Sequence, residues 1–162
     1  MSDKIVVPNQ MPNRRASAFK KILVPVDGSP QAIHAANTAV LLARSQGAEL
    51  IGVYVIDPFP YIGIGDASSV GLQAYMTETK AAAGKALGAV AYACSKQNVA
   101  FEGDTIERNV VYEGILETAD TEGCDLIVMG SHGRQGLKAL ILGSVAQKVL
   151  THAKVPVLIV KS

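Results

Sequence analysis

Leu126-Ile127-Val128-Met129-Gly130-Ser131-His132-Gly133-Arg134-Gln135-Gly136-Leu137-Lys138-Ala139-Leu140-Ile141-Leu142-Gly143-Ser144 is the stretch on which the reading of this 162-residue chain turns. Its first four residues are apolar without interruption, as in a strand buried on both faces. The glycines that follow fall in the pattern G-x2-G-x9-G-S. The loop opens where the strand ends and closes where Val145, Ala146, Val149 and Leu150 mark a helix. Such a loop favours an anion, because glycines let main-chain N–H groups approach a phosphate with no side chain in the way. The helix starting at Gly143-Ser144 adds its free N–H groups and its positive dipole end. Taken alone, G-x-x-G serves a turn as readily as a ligand, and Ser144 would do as a plain N-cap. The glycine–serine pair at the helix start, together with a second loop around Asp27, tips the balance to the anion.

Outward from this stretch, apolar runs and helical patterns alternate. Ile22 to Val26 is a β-branched run ending in Asp27-Gly28-Ser29-Pro30, where Ser29 suits an N-cap and Pro30 a first helical turn. Ala32, Ala36, Ala39, Val40 and Ala43 repeat at helical spacing until Gly47 stops the helix. Leu50 to Ile56 reads as the second strand, and Asp57 to Gly71 as a Pro/Gly-rich loop. A long helix follows with Ala83, Leu87, Val90 and Cys94 on one face. Val99 to Ile106 reads as the third strand, Ile115, Leu116 and Ala119 as a shorter helix, and Val157 to Val160 as the fifth strand. This alternation predicts an α/β fold, a doubly wound five-stranded parallel sheet with helices on both faces. Ligands in such sheets bind beyond the carboxyl ends of strands where strand order reverses, which points to the loops after Val26 and Met129.

The length suits one domain, read as residues 19–162 behind a flexible tail, 1–18. Fifteen basic against 14 acidic residues leave a formal charge of +1, which gives no reason to expect nucleic acid or a membrane surface as partner. No apolar run is long enough to span a bilayer, and the start lacks the apolar segment of a secretory signal, so a cytoplasmic location is expected. Cys94 and Cys124 are too far apart for a C-x-x-C element and read as reduced thiols.

Three segments carry a family resemblance. Lys21-Ile22-Leu23-Val24-Pro25-Val26-Asp27-Gly28-Ser29 resembles the opening strand and loop of the universal stress protein family. Asp125 to Gly133 is similar to its fourth strand and nucleotide loop, and Pro156 to Val160 to its closing strand. The likeness spans Phe19 to Lys161, and G-x2-G-x9-G-S is the pattern of the ATP-binding branch. The resemblance implies a Rossmann-like fold of the adenine nucleotide alpha-hydrolase type, binding ATP with Mg²⁺. It implies that Pro25, Val26 and Asp27 line the adenine and ribose end, with Asp27 an indirect metal partner. Val53 would lie near the base, and Met129 and Gly130 would border the ribose. Gly133, Gly143, Ser144 and Val145 would hold the phosphates, with Ser131 and His132 completing the loop. Ala146 stands where some relatives carry Thr or Ser. Asn109-Val110-Val111-Tyr112 replaces the Gly-x-Pro turn that the family has before its third helix. A homodimer through the apolar edge strand Val157 to Val160 is implied as well, and an open edge invites such pairing.

Other chemistries fit poorly. Gly63-x-Gly65 lacks a third glycine before a helix and reads as a flexible lid, and no G-x-x-x-x-G-K-[ST] occurs. Ser131 and His132 are sequence neighbours without a third triad member, and the three histidines lack metal-ligand spacing. A receiver domain would need an acceptor Asp after the third strand, where Glu107-Arg108 stands. No catalytic residue is assigned. The sequence therefore predicts an ATP-binding regulatory module, with a slow ATPase or phosphotransferase and a dimeric regulator without nucleotide as the alternatives.

Overall fold

Alternate residues of a strand point to opposite faces of its sheet, so a sheet covered on both sides needs two apolar sets. Here Ile22 and Val24 pack with Leu50, Tyr54, Ile56, Leu126 and Val128 on one face, while Leu23, Ile51, Val53, Ile127 and Met129 pack on the other. The computed structural model describes residues 18–58, 69–133 and 142–161. The tail expected at residues 1–18, apart from residue 18 itself, lies outside them, as do the Gly63-x-Gly65 lid and Arg134 to Ile141.

The elements in chain order are β1 (Lys21–Pro25), α1 (Pro30–Gln46), β2 (Glu49–Ile56), α2 (Ser69–Gln97), β3 (Phe101–Glu107), α3 (Val111–Thr121), β4 (Leu126–Gly130), α4 (Ser144–His152) and β5 (Val157–Val160). All strand pairs are parallel, in the order β3-β2-β1-β4-β5. The predicted five-stranded, doubly wound sheet is therefore the one observed. The chain winds from β1 outward to β3, then crosses back to β4 beside β1. Strand order reverses between those two strands.

α1 begins as its sequence dictates: Ser29 Oγ accepts from the Ala32 N–H at 3.1 Å, and Pro30 occupies the first turn. Gly47 ends it in the left-handed region at φ 66°. Its buried side is almost wholly alanine (Ala32, Ala35, Ala36, Ala39, Ala43, with Val40), so the helix axis lies close to the sheet. α2 adds Ala83, Leu87, Val90 and Cys94 to the same core, and α3 and α4 cover the opposite face. β3 starts at Phe101, two residues later than the apolar pattern from Val99 suggested. Val99 instead packs under α2, its N–H bonded to the Cys94 carbonyl at 3.0 Å. α3 starts where the Gly-x-Pro turn is missing, with Val110 as N-cap and no side-chain capping bond. Nearby, Arg108 donates through Nε and Nη2 to both Glu117 carboxylate oxygens, at 2.8 and 2.6 Å. That fork fastens the end of β3 to α3.

Cys94 and Cys124 are unbridged, and 1 % and 5 % of their surfaces remain exposed. Burial pushes each thiol from its ordinary 9.0 up to about 11. A thiolate is the reactive species, so both should resist alkylation by iodoacetamide in the native protein near pH 8 and react promptly once unfolded. The same shift makes stability pH-dependent. The contribution is complete below pH 9 and is lost as pH rises toward 11, by up to about 3 kcal/mol for each thiol. Denaturant titrations across that interval, with a Cys94→Ala control whose decline is shallower, check the assignment.

Candidate site at the strand switch

Beyond the carboxyl ends of β1 and β4 two loops meet. Pro25 is half-buried and paired in register with Val53, and the Val26 N–H donates to the Val53 carbonyl at 2.9 Å. The chain then turns at Gly28, whose φ of 81° suits a residue without Cβ. This turn lets the Ser29 N–H donate to Asp27 Oδ1 at 2.9 Å. The half-buried Asp27 carboxylate is thereby held near the start of α1, where the helix dipole favours negative charge.

The described ends of the β4 loop are held by main-chain hydrogen bonds. The Ser131 N–H donates to the Val160 carbonyl of β5 at 3.1 Å, and the Ser131 carbonyl accepts from the Gly143 N–H at 2.7 Å. Both ends of the loop are thus clipped at one residue. The Ser131 hydroxyl lies 3.1 Å from His132 Nδ1. Close approach explains the glycines. A Cβ on Gly130 would stand 3.2 Å from the Gln31 carbonyl oxygen in the first turn of α1, and one on Gly143 would stand 3.0 Å from the Ser131 carbonyl oxygen. A Cβ on Gly133 would collide with Asp27 Oδ2, so the two loops touch there.

One expectation needs correcting: the Gly143 N–H is not free for a ligand, because Ser131 already accepts it. The helix opens one residue later. Gly143 is the N-cap without a side-chain bond, and Ser144 is the first helical residue rather than the cap. The N–H groups of Ser144, Val145 and Ala146 have no acceptor within the helix. The first turn of α4 carries no acidic residue, whereas that of α3 carries Glu113 and that of α1 is capped by Ser29. Of these three helix starts, α4 alone leaves its positive end neither capped nor neutralised.

The residues singled out from sequence fall into two groups. Asp27, Gly130, Ser131, His132, Gly133, Gly143 and Ser144 gather at the junction of the two loops. Val26, Val53 and Met129 are buried core side chains, and Val53 meets the loops through its carbonyl. Val145 is half-buried, and Ala146 faces the core at 3 % exposure. Sequence reasoning missed Gln31 and Val160, which act only through main-chain carbonyls; a carbonyl leaves no mark on residue type. It also passed over Gly28, which the Asp-Gly turn signal would have found. Among the described residues no group of three or more His, Cys, Asp or Glu is placed to hold a metal ion. Mg²⁺ is a hard cation usually held by one or two carboxylates and the substrate's phosphates, and Asp27 fits that role.

A doubly wound parallel sheet with a glycine-rich junction at its switch point defines the class of α/β nucleotide-type folds. Within it, the family model described as "Universal stress protein family" matches residues 18–161, and the chain belongs to that family. Universal stress protein MJ0531 of Methanocaldococcus jannaschii is 34 % identical over 158 residues, covering 98 % of this chain and 91 % of its own. The solved structure of MJ0577 superposes with a TM-score of 0.75 at 28 % identity, over 89 % of this chain and 96 % of that one. A universal stress protein from Archaeoglobus fulgidus, solved in complex with dAMP, shares the fold at a TM-score of 0.62 and 23 % identity, over 88 % and 98 % of the two chains.

The packing predicts an order of effects. Gly143→Ala pushes a methyl group against a fixed backbone carbonyl and should cost about 1–2 kcal/mol of stability. Gly133→Ala displaces the tip of one side chain, Asp27, and should cost less. Urea denaturation of both variants checks this; a larger loss for Gly133→Ala would contradict it.

Proposed function

We propose that this protein is an ATP-binding regulatory module of the stress response. ATP arrives with Mg²⁺, is hydrolysed slowly at most, and its occupancy alters shape or partner choice. The observation that carries the reading is the start of α4, without a side-chain cap or an acidic residue in its first turn, beside a loop whose described ends are held by main-chain hydrogen bonds. A polyphosphate at that point meets N–H donors and the positive helix end. Asp27, beside Gly133, is the carboxylate nearest the described end of the loop and would reach a cation carried on the phosphates. Two protonated, unbridged thiols accord with a reducing compartment such as the cytoplasm. Among the described residues no helix is long and apolar enough to cross a membrane.

β5 forms one edge of the sheet and exposes Leu158, with Leu150 of α4 exposed as well. An apolar edge of this kind supports a homodimer paired through Val157 to Val160. Light scattering at tens of micromolar should give twice the chain mass, and Leu158→Lys should give a monomer. A monomeric wild type overturns the dimer.

The nucleotide reading is tested by calorimetric titration of ATP with Mg²⁺ into wild type and a Gly133→Val/Gly143→Val double variant whose circular dichroism shows it folded. Micromolar binding is expected for wild type and at least a hundredfold weaker binding for the variant. Turnover below about 1 s⁻¹ is expected, at the bottom of the usual enzyme range. Wild type that fails to bind at millimolar ATP rejects the reading.

A further inference from the structure

β3 forms the edge of the sheet opposite β5, paired with β2 from Phe101 to Glu107 on one side only. In a parallel ladder, alternate residues turn their N–H and C=O groups to the neighbouring strand, and the others turn theirs away. The Leu50 N–H donates to the Ala100 carbonyl and the Arg108 N–H to the Ile56 carbonyl, both at 2.9 Å. Even-numbered residues of β3 therefore face β2, and Phe101, Gly103, Thr105 and Glu107 carry the main-chain groups of the outer edge. A seven-residue edge of this kind readily accepts a strand from another chain.

Three of those seven residues, Glu102-Gly103-Asp104, are poor strand formers, and all three are exposed. Gly103 has a local reason, since a Cβ there would stand 3.1 Å from the Phe101 ring. Packing gives no such reason for the two carboxylates. They lie on one face, in register with the buried Ile51 and Val53, and among the described residues neither has a cation partner. Glu107, by contrast, pairs with Lys80 at 3.2 Å. Asp104 also turns back on its own strand: its Oδ1 accepts from the Thr105 N–H, one of the outward donors, at 2.8 Å.

We infer that Glu102 and Asp104 close the β3 edge to a second copy of this chain, which leaves β5 as the edge open to pairing. The inference does not depend on the nucleotide reading. Two copies of one strand that pair antiparallel do so about a two-fold axis normal to the sheet. With the axis at Gly103, Glu102 of one copy stands opposite Asp104 of the other, in the close kind of pair that exchanges no main-chain bonds. With the axis at Asp104, the two Asp104 carboxylates meet. Like charges directly opposite each other destabilise both arrangements, and the Thr105 N–H that the partner needs is already held. β5, Val157-Leu158-Ile159-Val160, carries no charge along its length. A chain open at both edges would join one two-fold contact to another without closing, and so grow into a filament.

The test compares wild type with two folded variants, checked by circular dichroism. Glu102→Thr/Asp104→Thr removes both charges and the cap without adding a large apolar side chain. Glu102→Lys/Asp104→Lys removes the cap but keeps like charges opposed. In sedimentation velocity the Thr variant of a dimeric protein should climb with concentration past about four chains, and the Lys variant should sediment as wild type does. The Gly103, Thr105 and Glu107 amides should exchange hydrogen more slowly in the Thr assemblies than in wild type. Adding Leu158→Lys to the Thr variant should stop growth at two chains joined through β3. If wild type is a monomer, the Thr variant alone should stop there, so the β5 dimer can fail while this inference stands. A Thr variant that keeps the wild-type mass at hundreds of micromolar overturns the inference. So does a Lys variant that assembles equally, because charge would then not be what closes the edge.

Discussion

Because β1 and β4 are parallel neighbours whose crossovers leave in opposite directions, the loops that follow them meet at the carboxyl end of the sheet. The rest of the structure serves that juxtaposition. Two apolar sets of residues on alternate strand positions allow helices on both faces, and the alanine face of α1 brings its first turn down to the end of β4. The contact is tight enough that a Cβ on Gly130 would stand 3.2 Å from the Gln31 carbonyl oxygen, so the two would have to shift apart. A larger residue at either place would separate the loops that must meet.

Among the described residues, the junction is built from main chain more than from side chains. Ser131 spends its N–H on β5 and its carbonyl on Gly143, which joins strand, loop and last helix at one residue. What the last helix adds is directional: the N–H groups at the head of α4, which have no acceptor within the helix, with the Asp27 carboxylate beside Gly133. A site of this kind favours charge over shape.

Much of this was legible in the sequence. Unbroken runs such as Leu126 to Met129 announce strands covered on both faces, and Ser29-Pro30 and Gly47 bracket α1 because each residue suits its backbone position. The glycine spacing located the loop and the helix it feeds. Sequence was silent where main-chain atoms decide the outcome. Nothing in residue type shows that the Gly143 N–H is consumed by Ser131, that Val160 anchors the loop through its carbonyl, or that Val53 turns its side chain wholly into the core. The start of β3 was misjudged for a related reason: Val99 is apolar because it packs under α2, and the apolar pattern alone does not distinguish that from a place in the strand.

The central claim is that the head of α4 receives the phosphates. A crystal structure with a non-hydrolysable ATP analogue and Mg²⁺ tests it most directly. The account predicts phosphoryl oxygens within hydrogen-bonding distance of the Ser144 and Val145 N–H groups, with the cation on the Asp27 side. An analogue bound elsewhere on the sheet, or with its phosphates turned away from α4, would contradict it.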